Sequence, residues 1–174
     1  MPCQNKQEWW WFLQTCEAYF AARGTARPVV VEVGLDRNCQ KAHYERLLGA
    51  EHIGIDINPE IPGVDILASS GDPYTAELVR RRLAGRPLDL LFIDGDHSYE
   101  SVKRDYANLA VLEPRLVALH DVVIIPSVRK FWEELIADPA NEDALFLTFH
   151  NHHSGWIIDK YPFGIGLMMR DPLG

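Results

Sequence analysis

The chain has 174 residues, of which 47% are hydrophobic, and a net charge of -8. That suits one domain with a real core and is too apolar for disorder. The acidic balance argues against a nucleic-acid backbone as partner, which needs clustered Lys and Arg. The only basic run, Arg80 to Arg82, falls in a helical pattern and reads as a solvated face. No apolar run approaches the length of a membrane span, so no membrane partner is expected. The opening "MPCQNKQEWWWFLQTCEAYF" lacks the basic start, apolar stretch and small-residue cleavage site of a secretory signal. Cys3, Cys16 and Cys39 are odd in number and spread out, which points to a reducing, cytoplasmic setting.

In chain order, the opening segment reads as a helix with Trp9, Phe12, Leu13, Cys16 and Phe20 on its apolar stripe. Trp10 and Trp11 overflow that stripe; they either pack on a sheet edge or form a dimer surface or a lid. "PVVVEVG" (Pro28 to Gly34) is a buried strand bounded by Pro and Gly. "CQKAHYERLLG" follows as a helix with Tyr44, Leu47 and Leu48 on one face. "EHIGIDIN" and "VDILA" are the second and third strands. Asp72 caps the next helix, Pro73 takes its first position and Gly85 ends it. "LDLLFID" is the fourth strand, and Ser98 caps a helix whose Val102, Tyr106, Leu109 and Leu112 share a face. "RLVALHD" is the fifth strand and "SVRKFWEELIAD" another helix. "ALFLTFH" and "FGIGLMMR", joined by a polar loop, close the chain, with the last strand antiparallel. The alternation predicts an α/β fold, a doubly wound, mostly parallel sheet covered by helices on both faces.

Ligands of such sheets bind beyond the carboxyl ends of the strands. Those ends carry Glu32 and Gly34, then Asp56, then Ser69, Ser70 and Asp72, then Asp94, Asp96 and His97, then His120 and Asp121. His150, His152 and His153 follow the sixth strand. Almost every charged or imidazole group flanking a strand is thus expected at one rim, where an even distribution would split them between two. Asp56 can accept two hydrogen bonds from a ribose diol, and otherwise serves the Asn58-Pro59 turn. "EVGLDRNCQ" has no GxGxxG, so a nucleoside without a pyrophosphate fits better. Asp94 and Asp121 end strands about 5 Å apart and can share a divalent ion, with His120 as a third ligand. His97 is placed to act as a general base, or to bind the loop backbone. Asp96, next to Gly95, reads as a turn residue, and the "HNHH" histidines as exposed.

"VVVEVG", "IGIDIN", "LDLLFIDGDHSYESVKRDYANLAVLEPRLVALHDV" and "FGIGLMMR" together resemble class I S-adenosylmethionine-dependent methyltransferases. The paired "DGDHSYE" and "HDV" resemble a small group related to metal-dependent sugar and natural-product O-methyltransferases. The resemblance implies a Rossmann-like seven-stranded sheet with the last strand antiparallel. It implies a single domain over 1–174, with an N-terminal helical segment at 1–27 and a core at 28–170. It implies S-adenosylmethionine as cofactor, with Glu32 and Gly34 at its methionine end, Asp56 at the ribose hydroxyls, Ser69 and Ser70 near the adenine, and Ile57 also among the cofactor-binding residues. Asp94, His120 and Asp121 match the metal site, for Mg2+ or another divalent ion, and His97 with Asp94 the catalytic pair. The first loop, "LDRNCQ", and Ser69-Ser70 at the third strand depart from the family pattern, which has more glycines and an acid there. The expected activity is methylation of a small-molecule hydroxyl, in a protein for which the tryptophans make a homodimer reasonable. Two other readings use the same residues: a degenerate module that keeps the fold without the chemistry, and a metal-dependent hydrolase.

Overall fold

The apolar runs become the strands β1 (Val29–Val33), β2 (Glu51–Asp56), β3 (Ile66–Leu67), β4 (Leu90–Ile93), β5 (Leu116–His120), β6 (Leu145–Phe149) and β7 (Ile165–Met169). The computed structural model describes residues 5–37, 40–151 and 162–172. Within these lie the helices α1 (Lys6–Ala22), α2 (Lys41–Leu47), α3 (Tyr74–Leu83), α4 (Tyr99–Ala110) and α5 (Pro126–Ala137). The strands form one seven-stranded sheet in the order β3-β2-β1-β4-β5-β7-β6. From β3 to β5 all pairs are parallel, while β7 runs antiparallel to both β5 and β6. The expected architecture, with its last strand reversed, is the one observed.

Side-chain alternation along each strand feeds two apolar layers. Val31, Val33, Leu91 and Ile93 pack with Val79 of α3, Val102 and Leu109 of α4, and Phe131 and Trp132 of α5. Val30, Phe92 and Ala118 pack on the other face with Phe12, Leu13 and Cys16 of α1 and Tyr44 of α2. Every residue of β1, β4, β5 and β7 is buried, which is why these runs read as continuous apolar stretches. None of the helices described is long and apolar enough to cross a membrane.

Several local details differ from expectation. Trp10 and Trp11 do not pack on the sheet; they are 49% and 37% exposed, on the outer side of α1. In α2, Tyr44 and Leu48, four residues apart, take the interior, and Leu47 turns to solvent. β3 is only two residues long, because it is an edge strand paired with β2 alone. α3 starts at Tyr74, one residue after Pro73, although the Asp72 carboxylate still accepts the Tyr74 N–H at 2.9 Å. Its end is turned by Ala84, with φ of 50°, before Gly85. Ser98 caps α4 as expected, accepting the Ser101 N–H.

The polar groups are also less one-sided than expected. At the opposite rim, Asp89 is buried, accepts the Val29 N–H at 2.8 Å and pairs with Arg115 at 2.9 Å. Glu51 pairs there with Arg86 at 2.6 Å. These charges are consumed in tying strand starts together. At the carboxyl rim, Asp56 and Asp96 line a cleft.

Candidate active site

Parallel pairing brings the ends of β1, β2, β3 and β4 to one side, and a cleft of about 240 Å³ opens there. Gly34, Asp56, Ile57, Ser69 and Ser70 all line it. Gly34 has φ of 80°, and a Cβ there would lie 2.2 Å from the Asp94 carbonyl oxygen. The bare backbone lets the end of β1 pass against the end of β4. Asp56 is held by two backbone donors: Oδ2 accepts the Leu35 N–H at 2.9 Å and Oδ1 the Asn58 N–H at 2.8 Å. Each carboxylate oxygen keeps a further acceptor site. Ile57 stands at the mouth, 73% exposed.

Glu32 is not part of this cleft. It is fully buried on the face of β1 that packs under α2, with Oε2 2.7 Å from His52 Nε2. Burial, and then the charge of Asp94, push its carboxyl well above the ordinary range. Burial likewise pushes the His52 imidazole down to about 4. Tyr44 stacks on His52 and seals the pair. The alternation that sends Val31 and Val33 towards α3, α4 and α5 sends Glu32 the other way.

Beside the cleft, Asp94 and Asp121 follow the neighbouring strands β4 and β5. His97 Nε2 lies 3.5 Å from Asp94 Oδ1 and 3.1 Å from Asp121 Oδ2. One ligand atom from each of Asp94, His97 and Asp121 falls within 4.8 Å of the others. His120 stands behind them, with Nδ1 3.0 Å from Asp94 Oδ1 and 3.5 Å from Asp121 Oδ2. Asp94, His97 and Asp121 are thus the described residues whose ligand atoms could hold a metal ion together, and His120 Nδ1 lies against both carboxylates.

The electrostatics follow from the geometry. Burial favours a neutral Asp94, but His120 and His97 outweigh it and hold the carboxyl below its ordinary value. Burial alone would lower His120; the charges of Asp94 and Asp121 reverse this and raise it to about 10. The hydrogen bond to Asp94 raises His97, burial opposes it, and Asp121 adds to the rise. Among the described residues, Asp121 Oδ1 is buried without a hydrogen-bond partner, an acceptor suited to a cation or a ligand donor. Asp121 also has φ of 64°, a conformation that is uncommon outside glycine.

Glu8 supports that turn, which the sequence reading missed. It is fully buried, and its carboxylate accepts the Asn151 N–H at 2.7 Å and the Gly164 N–H at 3.1 Å. Gly164 in turn accepts the Val122 N–H at 3.2 Å, beside Asp121, and Phe163 accepts the Val123 N–H at 3.0 Å. The Phe163 ring stacks on His120. Arg104 and Asp105 of α4, also missed, line the far wall of the cleft. The available signal was position: Glu8 is four residues before Phe12, and Asp105 lies between Val102 and Leu109, both on apolar stripes. Asp96 binds Ser98 and Ser101, as a turn residue does. His150 is half-buried at the end of β6; His152 and His153, like Cys3 and Cys39, lie outside the described residues.

Residues 33–122, from the last residue of β1 to the residue after Asp121, match the family model of a methyltransferase domain. The match takes in just over half of the chain, and the chain belongs to this methyltransferase-domain family. Curated proteins give no match. Among solved structures, the MycE methyltransferase of the mycinamycin biosynthetic pathway, in complex with Mg, SAH and mycinamycin VI, is similar with a TM-score of 0.61 at 14% identity. The likeness covers 93% of this chain and 49% of MycE, so the chain spans about half of that protein's length. The O-methyltransferase TomG from Streptomyces achromogenes, in complex with SAM, gives a TM-score of 0.61 at 16% identity, over 90% of this chain and 78% of TomG. An O-methyltransferase from Bacillus cereus in complex with SAH gives 0.56 at 12% identity, over 91% of this chain and 80% of that one. At these identities the likeness establishes the Rossmann-like methyltransferase fold.

Proposed function

We propose that the protein is an S-adenosylmethionine-dependent methyltransferase acting on a hydroxyl oxygen of a small molecule. One observation carries this: a nucleoside-sized cleft and a carboxylate–imidazole cluster share the rim, joined where Gly34 passes against Asp94. The bound cofactor supplies an activated methyl group, and the reaction is an in-line displacement in which a C–S bond breaks, a C–O bond forms and the hydroxyl loses its proton. The chain's task is mainly positioning, which is worth about 7–11 kcal/mol in well-oriented systems.

Asp56 holds the ribose hydroxyls with the acceptor sites that Leu35 and Asn58 leave open. Ser69 and Ser70 border the base. His97 takes the hydroxyl proton at Nδ1, while its Nε2–H faces Asp94 and Asp121, which stabilise the imidazolium that forms. His120 keeps Asp94 ionised and in place.

Two carboxylates and one imidazole, with an Asp121 oxygen that is buried and unpaired among the described residues, also fit a divalent cation. Asp94, His97 and Asp121 would hold such an ion, which would lower the pKa of an oxygen approaching it, and His97 would then serve as a ligand in place of its role as base. A hydrolase would use the same cluster but leave the neighbouring cleft without a role.

Calorimetric titration of S-adenosylhomocysteine, with Mg2+ and then with EDTA, tests the reading. Micromolar binding supports it, and an acceptor screen then follows. No binding in either buffer overturns it.

A further inference from the structure

The sheet has two edges, and only one of them is blunted. β3 is two residues long and offers little to a passing strand. β6 is five residues long and pairs with β7 in continuous register, with no bulge to twist its outer side away. Its sequence, LFLTF, contains no charge, no proline and no glycine. Among the described residues, no backbone hydrogen bond reaches the outer side of Leu145–Phe149. Such an edge is a template for another strand, and natural sheets rarely leave one without cover.

The surface beside this edge is apolar as well. Leu145 is 45% exposed. Its alternate neighbours Leu147 and Phe149 pack in the layer that contains α1, so Leu145 shares their face. α1 runs along that flank. Gln7 and Glu8 both bind Asn151, just beyond the strand, and the Phe12 ring centroid lies 6.2 Å from that of Phe149. Trp11 follows Gln7 by four residues and Glu8 by three, so its exposed indole stands on the same side of the helix, next to the open edge.

We infer that a second copy of this chain docks on this edge, its β6 pairing antiparallel with the first about a two-fold axis at Leu147. This goes beyond the methyltransferase reading and does not depend on it. Three features single out a second copy as the occupant. An antiparallel pair of identical strands is self-complementary: Leu147 meets Leu147, and the exposed Leu145 of each copy meets Phe149 of the other. The flanks are complementary too. Asp143 precedes the strand and His150 follows it, so the reversed copy brings each carboxylate beside an imidazole. Between them the strands oppose no like charges, although the whole chain carries -8. Lastly, the pairing is closed. The axis stands perpendicular to the sheet, so both copies of α1 lie on one face with their Trp11 flanks turned towards each other. The joined sheet then ends in the short β3 on both sides, and growth stops at two.

The experiment is sedimentation velocity from low to high micromolar concentration, on the wild type and on Leu145→Lys. The expected wild-type result is a concentration-dependent dimer. Leu145→Lys is expected to raise its dissociation constant by about tenfold or more, because two cross-strand apolar pairs are lost at once. Backbone amide exchange of the wild type at both ends of the range locates the contact: residues 145–149 gain protection at high concentration, and β3 does not. A monomer at every concentration overturns the inference. So does a dimer that Leu145→Lys leaves intact, one that forms with no change of exchange in β6, or growth beyond two copies. The exchange comparison uses the wild type alone, so it decides even where the variant does not fold.

Discussion

Nε2 of His97, at the start of the turn before α4, lies 3.1 Å from Oδ2 of Asp121, which follows β5. The two residues come from different strand ends, and parallel pairing of β4 with β5 brings them together. Proton acceptance needs a neutral His97. Asp94 and then Asp121 favour its charged form, so its pKa lies above the ordinary 6.5 and the active fraction grows as pH rises through that raised value. Removing a negative neighbour lowers the pKa. In Asp121→Asn the rising limb of the metal-free pH–rate profile is therefore expected at lower pH, by about one unit. A titration of the His97 ring by NMR, with EDTA present, checks the same shift directly.

Asp56 serves both the Leu35 N–H and the proposed ribose diol. Asp56→Asn keeps an oxygen for one of its two backbone donors, Leu35 and Asn58, and loses the other bond together with the charge. S-adenosylhomocysteine affinity is expected to fall by about tenfold or more, on the scale of a charge-assisted hydrogen bond. Unchanged affinity in calorimetry would leave Asp56 a turn residue only.

Gly34→Ala should be among the most damaging small substitutions in the chain. The position has φ of 80°, and the new methyl would lie 2.2 Å from backbone at Asp94. A loss of about 2 kcal/mol or more in unfolding free energy is expected, from backbone strain and displacement of β4. Chemical denaturation measures it.

Glu8→Ala leaves the N–H groups of Asn151 and Gly164 without their acceptor. Unfolding free energy should fall by about 1–3 kcal/mol for each buried group left unsatisfied. Faster amide exchange at Gly164 and Val122 would show that the loss is local to the Asp121 turn. Protection equal to the wild type there would separate Glu8 from the site.

Glu32→Gln gives the opposite expectation. The side chain faces His52, away from the cleft, so S-adenosylhomocysteine affinity should remain at the wild-type value. A tenfold loss in calorimetry would place Glu32 in ligand binding after all.

The strands and helices were legible because their signals are local. Apolar runs bounded by Pro and Gly marked β1, and Ser98 marked the start of α4. The rim that carries Gly34, Asp56, Ser69, Ser70, Asp94, His97 and Asp121 followed from strand direction alone. Glu8 and Asp105 were not legible, since a charge on an apolar stripe gains meaning only when a partner stands opposite it. Their partners come from distant segments: Asn151 and Gly164 for one, Ser70 for the other.

The sequence by itself determined the order of elements, the α/β class and the carboxyl-end rim, because periodicity, capping and chain direction are carried by neighbouring residues. Tertiary structure alone decided that His97 joins Asp94 and Asp121 while His120 braces them, and that Glu32 turns inward. Those outcomes depend on strand register and on which face of the sheet each side chain takes. A shift of one residue reverses the face, and no local signal in the chain fixes what waits on the other side.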